Sequence, residues 1–271
     1  MNIHFNNKEL FDKLMNNKII MLKVGSHLYG LNDENSDVDY LIIYKPFQNQ
    51  LYSCFANHHQ LQYKEDNIDY NFIDLITFIK NSISGDATIN IEAIHSEIFK
   101  NSELSFLYEN RKMFYNYCIL RSYLGLARRD LKHIFIPKKH KSLTERYKNK
   151  KILHAIRSYY TAKDIYEGIK NENHYYKNKN HIHFDLYNNI KKLKTDKERI
   201  EIRNNYSKLI SEFRDVINDE FSKGNIVRYM KIENQKIIDK FIIEYLKTNE
   251  NKDDIDMNIF YDINEEGNVI Y

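Results

Sequence analysis

Long apolar runs are missing from this chain. No stretch approaches the ~18 consecutive apolar residues that a membrane-crossing helix needs, and no apolar leader opens the sequence. The expectation is a soluble, cytoplasmic protein without a membrane partner. Cysteine is nearly absent. Cys54 and Cys118 have no metal-ligand spacing and suit a reducing compartment, where thiols serve as small core residues. His58 and His59 are adjacent, so they point different ways, and His181 and His183 have no carboxylate or cysteine cluster beside them. A zinc hydrolase is therefore disfavoured. There is no Gly-x-x-x-x-Gly-Lys-Ser/Thr loop, no kinase signature set and no His-Glu-x-x-His, which argues against a Walker ATPase, a protein kinase and a zincin. Tryptophan is lacking, against 22 tyrosines; with abundant Lys, Asn and Ile this reads as coding bias rather than function. No repeat of fixed period appears, which disfavours a solenoid.

Glycine is also scarce, with seven in 271 residues. Two of them, Gly25 and Gly30, fall in one stretch, GSHLYGLNDENSDVDYLIIY, from Gly25 to Tyr44. The apolar segment before it, 18–24, predicts a strand, and 27–31 a short helix or turn. After the loop 32–36, alternation over 37–44 predicts a second strand. Successive strand side chains face opposite ways, so Asp37 and Asp39 share a face. Two carboxylates so placed can lean together around hard cations, which take oxygen ligands. Two such ions suit in-line phosphoryl displacement. The Gly25-Ser26 turn offers backbone N–H groups and a hydroxyl to a phosphate, and Ser36 directly precedes the acids. Together these features read as a site for a triphosphate and its magnesium. The competing reading is an ordinary βα turn followed by surface aspartates.

Further along, 67–73 predicts another core strand, with Asp69, Asn71 and Ile73 on one face. If it lies beside 37–44, Asp69 joins Asp37 and Asp39; Asp66 and Asp74 compete for that position. Residues 47–66 read as irregular. Helices are expected near 7–16, with Asn6 as its cap, and over 74–83. After a turn at 84–86 comes a second helical segment around Asn90-Ile91-Glu92, in which Glu92 is explained as an acid at a helix start. From about 103 the pattern is helical: 103–133, 142–170, 184–191, 196–222 and 233–247, with a polar connector at 171–180. Lys151, His154 and Arg157 recur every third residue on one of these helices. They form a basic row suited to a triphosphate, or else a solvated face. Net charge is +3, but 128–151 holds ten Lys/Arg against Asp130 and Glu145, while the segment from Glu250 to the end holds seven acids against one Lys. The basic segment could meet a nucleic-acid backbone. The tail alternates in a way that suggests a small hairpin.

The spelling Gly-Ser-His-x-Tyr-Gly followed by Ser-Asp-x-Asp-Tyr resembles the DNA polymerase β-like nucleotidyltransferase superfamily. It looks closest to the bacterial and phage branch associated with RNA repair. That resemblance implies an α/β (α+β) catalytic core with a mixed sheet over about 1–105, a helical domain over 106–248, and an acidic tail over 249–271. It implies transfer of a nucleoside monophosphate from an NTP, ATP among them, to an acceptor hydroxyl with release of pyrophosphate. The acceptor would be an RNA end; protein or small-molecule acceptors, and a non-catalytic nucleotide- or RNA-binding relative, stand as alternatives. Two Mg²⁺, with Mn²⁺ as a substitute, would be held by Asp37, Asp39 and Asp69 as the catalytic and metal-binding acids. Gly25, Ser26, Ser36, Lys151, His154 and Arg157 would bind the nucleotide. The branch carries Lys-x-x-His-x-x-Arg on a helix of its second domain, matched here in full, with Gly168 near where that helix ends.

Overall fold

The computed structural model describes residues 2–32, 34, 36–52, 60–85, 87–136, 143–171, 173, 174, 176, 183–249 and 253–255. In chain order the elements are β1 (Asn2–His4), α1 (Lys8–Asn16), β2 (Lys18–Lys23), α2 (Ser26–Tyr29), β3 (Val38–Tyr44), α3 (Gln48–Tyr52), β4 (Gln60–Glu65), β5 (Ile68–Asp74), α4 (Leu75–Ser84), α5 (Thr88–Ile94), α6 (Glu97–Lys100) and α7 (Ser105–Glu109). A 3₁₀ turn at Arg111–Phe114 leads to α8 (Tyr117–Lys132), α9 (Glu145–Lys170), α10 (Phe184–Lys191), α11 (Asp196–Ser222) and α12 (Ile232–Thr248). The expected tail hairpin, Cys54, the His58-His59 pair and His181 lie outside the described residues.

The chain divides into two compact units. The first comprises residues up to 82, 92–109 and 232 onward; the second comprises 83–91 and 110–231. The mixed α/β architecture holds for the first. Its sheet has the order β1-β4-β5-β3-β2. β3 runs antiparallel to β2 and parallel to β5, and β4 pairs antiparallel with β5. β3 is thus an interior strand, and its VDYLIIY run is buried from Leu41 to Tyr44, as a strand covered on both faces should be. Leu10, Phe11 and Leu14 of α1 pack with Ile42, Tyr44, Phe72 and Tyr63 to close one face. Each fully buried Phe or Ile there contributes about 1.5–3 kcal/mol. The period of two leaves Asp39, Leu41 and Ile43 on the other face. The last helix belongs with this unit rather than with the helices before it.

Several local expectations change. Within 47–66, expected to be irregular, the described residues form α3 and β4. β4 was obscure because only Leu61 and Tyr63 mark its buried face, between Gln, Lys and Glu. It turns into β5 through Asp66-Asn67, with Asp66 at φ 52. A further strand, β1, pairs in parallel with β4. Asn7, not Asn6, caps α1, its side chain accepting from the Leu10 N–H at 3.2 Å. The single helix expected over 103–133 is three pieces, because Asn116 starts α8 afresh by accepting from the Ile119 N–H at 3.0 Å.

The second unit is helical. α8 buries Ile119, Leu120, Tyr123, Leu124, Ala127 and Leu131 along one stripe, and α9 packs against it. Gly168 does not end α9, which runs on to Lys170. It makes room: a Cβ there would stand 2.6 Å from Cε2 of Tyr115.

Candidate active site

In the first unit the acids gather at the start of two neighbouring strands. β3 and β5 pair in parallel with Asp39 directly opposite Asp69. Neighbouring strands lie about 4.7–4.9 Å apart, so the two side chains leave the same face of the sheet as nearest neighbours. Both side chains are half-buried. Asp37 stands one residue before the strand and is exposed. The other candidate third acids occupy different positions. Asp66 is in the exposed β4–β5 turn. Asp74 is fully buried at the far end of β5, where its carboxylate accepts from the Thr77 N–H at 2.9 Å and caps the first turn of α4.

The Gly25-Ser26 turn sits against this pair. The Val24 N–H donates to the Asp39 carbonyl at 2.9 Å, fixing the end of β2 to the start of β3. Gly25 then turns sharply, at φ 64 and ψ −136, a conformation that strains any residue with a side chain. A Cβ at Gly25 would lie 3.5 Å from Asp39 Oδ2, so the bare backbone of the turn faces that carboxylate. Gly30, left-handed at φ 69, ends the four-residue α2. Ser36 is half-buried just ahead of Asp37.

Asp69 Oδ1 is buried and finds no hydrogen-bond partner among the described residues. Its nearest cation is Lys64 Nζ at 3.3 Å, from the position facing it on β4. Lys64 is 63% exposed, so this ion pair is solvent-screened and worth at most about 1 kcal/mol. A buried anionic oxygen held, among the described residues, by a surface lysine alone suits a cation ligand. Among the described residues, however, no three His, Cys, Asp or Glu side chains gather around one point. The in-register pair is assembled; Asp37 stands beside it.

In the second unit Lys151, His154 and Arg157 do fall along α9, but they are not a plain solvated row. Lys151 and His154 meet Asp130 of α8, which is 3% exposed. Lys151 Nζ lies 2.8 Å from Asp130 Oδ1, His154 Nδ1 lies 3.8 Å from Oδ2, and Arg129 Nε lies 3.4 Å from Oδ1. Loss of water around the His154 ring pushes its pKa well below the usual histidine range; Arg157 adds to this and Asp130 partly opposes it. The ring is therefore neutral at neutral pH, and one of its nitrogens can accept a hydrogen bond.

A family model described as RNA repair pathway DNA polymerase beta family matches residues 10–243, which takes in the strand acids, the Gly-Ser turn and the basic row. This chain belongs to that family. It is accordingly a polymerase β-like nucleotidyltransferase family member, in agreement with the mixed sheet. Among curated proteins, an uncharacterized 38.9 kDa protein of the nrdC-mobD intergenic region of enterobacteria phage T4 is 30% identical over 120 residues. The match covers 39% of this chain and 35% of that relative, so the chain matches about a third of the relative's length. No solved structure matches.

Two residues of this family member gain roles that their sequence context underplayed. Glu92 is no helix-start acid: it is the fifth residue of α5, is buried, and accepts a hydrogen bond from the Tyr29 hydroxyl. Since Tyr29 closes α2, Glu92 anchors the helix that follows the Gly25-Ser26 turn. Asp130, read only as one acid in a basic run, is the group around which Lys151 and His154 are arranged. Its signal was present. It sits where the α8 stripe of Leu120, Tyr123, Leu124, Ala127 and Leu131 calls for an apolar residue, and an acid there must have partners.

Proposed function

We propose that this protein transfers a nucleoside monophosphate from a nucleoside triphosphate to the hydroxyl at an RNA end. The observation that carries the reading is the rung Asp39–Asp69 beside the Gly25 turn, in a chain of this family. The acceptor oxygen bonds to the α-phosphorus, the α–β bridging P–O bond breaks, and pyrophosphate leaves. Asp39 and Asp69, with Asp37 beside them, would hold Mg²⁺. Bound there, the metal supplies charge neutralisation on the phosphates and lowers the pKa of the acceptor hydroxyl. Asp69, whose Oδ1 lacks a hydrogen bond, is suited to receive the hydroxyl proton. Gly25 and Ser26 offer backbone N–H groups and a hydroxyl to the β- and γ-phosphates, with Ser36 in reserve at the mouth of β3. Lys151 and Arg157 would bind triphosphate charge, with neutral His154 contributing a hydrogen bond.

Incubation with each α-³²P-labelled ribonucleoside triphosphate, Mg²⁺ and an RNA oligonucleotide should give a labelled RNA one nucleotide longer. Asp39→Asn is expected to lower that rate by about 10³-fold, since it removes a charged ligand at the reacting phosphate while keeping the side chain's size. Wild-type turnover by the variant would remove the rung from the chemistry. Label appearing in protein or a small molecule instead would replace RNA as the acceptor.

A further inference from the structure

A second feature lies wholly within the helical unit, where α8 and α11 pack side by side. Between them is a cavity of about 430 Å³. Its cations come from both walls: Arg121, Arg128 and Lys132 from α8, and Arg203 and Arg214 from α11. Spacings of 7 and 4 on α8, and of 11 on α11, place each set along one helix face. The two rows run about 16 Å, the rise of eleven helical residues. Ser207 and Ser211 add hydroxyls, while Leu124 and Ile210 form an apolar floor. Among the described residues no carboxylate lines the cavity.

That absence is informative, because α11 is not a basic helix. Between Asp196 and Ser222 it carries seven Asp/Glu and five Lys/Arg, yet its groove-facing positions are only Arg, Ser and Ile. Charge of one sign has been sorted to one face. Among the described residues, Arg121, Arg128, Lys132 and Arg203 have no carboxylate within ion-pair distance; Arg214 reaches Asp215 only at 4.0 Å, and its buried Nε has no hydrogen-bond partner. Four cations without an ion pair among the described residues, and a fifth paired only at 4.0 Å, line one groove and repel one another, an arrangement suited to an anion.

Gly125 provides an independent observation. It lies mid-helix on the groove wall, where glycine costs about 1 kcal/mol relative to alanine. Beyond its own helix backbone and chain neighbours, no atom of the described residues would lie within 4 Å of a Cβ there, so packing among them does not require it. A bare helix backbone at the wall of a basic groove lets a ligand approach closely.

We infer that the α8–α11 groove holds the phosphodiester backbone of single-stranded RNA. Two extended rows of cations fit a run of phosphates, whereas one free phosphate or triphosphate needs cations that converge. The choice of RNA rests on the proposed acceptor; the polyanion chemistry rests on the groove alone. The experiment is titration of a fluorescein-labelled 12-nucleotide RNA by anisotropy at several salt concentrations, with inorganic triphosphate binding measured in parallel. Arg128→Ala/Arg203→Ala should weaken RNA binding by tenfold or more and make the log–log salt slope shallower by about 1.4, near 0.7 per lost phosphate contact. Gly125→Leu, which fills the groove with a better helix former, should weaken RNA binding without loss of helicity by circular dichroism. Neither should change triphosphate affinity. RNA affinity and slope unchanged in both variants, or a loss of triphosphate affinity alone, would overturn the assignment. Asp39→Asn separates the two proposals: it should retain full RNA binding. If Asp39→Asn abolishes transfer while the groove variants bind RNA normally, the reaction stands and the groove falls. The reverse outcome leaves the groove standing without the reaction.

Discussion

Two aspartates in this molecule stand in opposite electrostatic situations. Asp69, half-buried on the sheet, has one largely exposed lysine 3.3 Å away and no hydrogen bond to its buried Oδ1. Asp130, almost wholly buried between two helices, has Lys151, Arg129 and the His154 ring around it. The first is a carboxylate still short of cations; the second is a carboxylate already surrounded by them. The comparison teaches that burial of an acid does not by itself identify a reactive site. What distinguishes them is whether the protein supplies the compensating charge itself or leaves that to a ligand.

The largest effect expected from this contrast is on stability. Asp130→Ala leaves Lys151, only 14% exposed, beside an uncompensated space, and should cost about 3 kcal/mol in urea unfolding. Asp69→Asn should change unfolding by no more than about 1 kcal/mol, because the pair it loses is screened. Equal losses at the two positions would break the distinction. A smaller effect concerns pH. His154 binds a proton less readily folded than unfolded, so between its depressed folded pKa and the unfolded value near 6.5 the unfolded state holds more protons. Stability should therefore decline as pH falls below about 6.5 and be flat in this respect above it. With 40% of the side chain at water, the slope should stay below the roughly 1.4 kcal/mol per pH unit of a fully buried ring. Thermal melts of His154→Gln between pH 5 and 8 should show a flatter profile than wild type. The smallest effect sharpens the other side of the comparison. Lys64→Ala should alter stability by less than about 1 kcal/mol, yet tighten Mn²⁺ binding read by paramagnetic relaxation of water protons, since it removes the cation that competes for Asp69. Weaker Mn²⁺ binding would mean that the lysine does not compete.

Much of this was readable from the residues. The alternation in VDYLIIY and IDYNFID fixed which side chains share a face, and the pairing of those two strands then put Asp39 opposite Asp69. The Gly-Ser turn was marked by glycine in a glycine-poor chain. What escaped was of two kinds. Short elements such as β1 and β4 have too few apolar residues to show a period; they exist because neighbouring strands offer hydrogen bonds. Partners distant in sequence escaped as well: nothing near Glu92 announces Tyr29, and nothing near Lys151 announces Asp130, since those contacts depend on how helices pack. The α8–α11 groove belongs to the same group. Each row is regular by itself, and its meaning appears only when the two helices lie side by side.

The discontinuous make-up of the first unit has a consequence for biosynthesis. Ile255 packs in the core beside Leu10 and Phe47, Asn49 and Ile255 exchange hydrogen bonds, and α12 joins through Phe241 stacked on Phe106 at 4.6 Å. A ribosome therefore releases the five described strands of the sheet long before it delivers Ile255 and α12, which pack into that unit. The nascent sheet must wait, partly open, through the synthesis of the whole helical unit. That order makes it the half of the molecule with most to gain from a chaperone and most to lose from a premature stop.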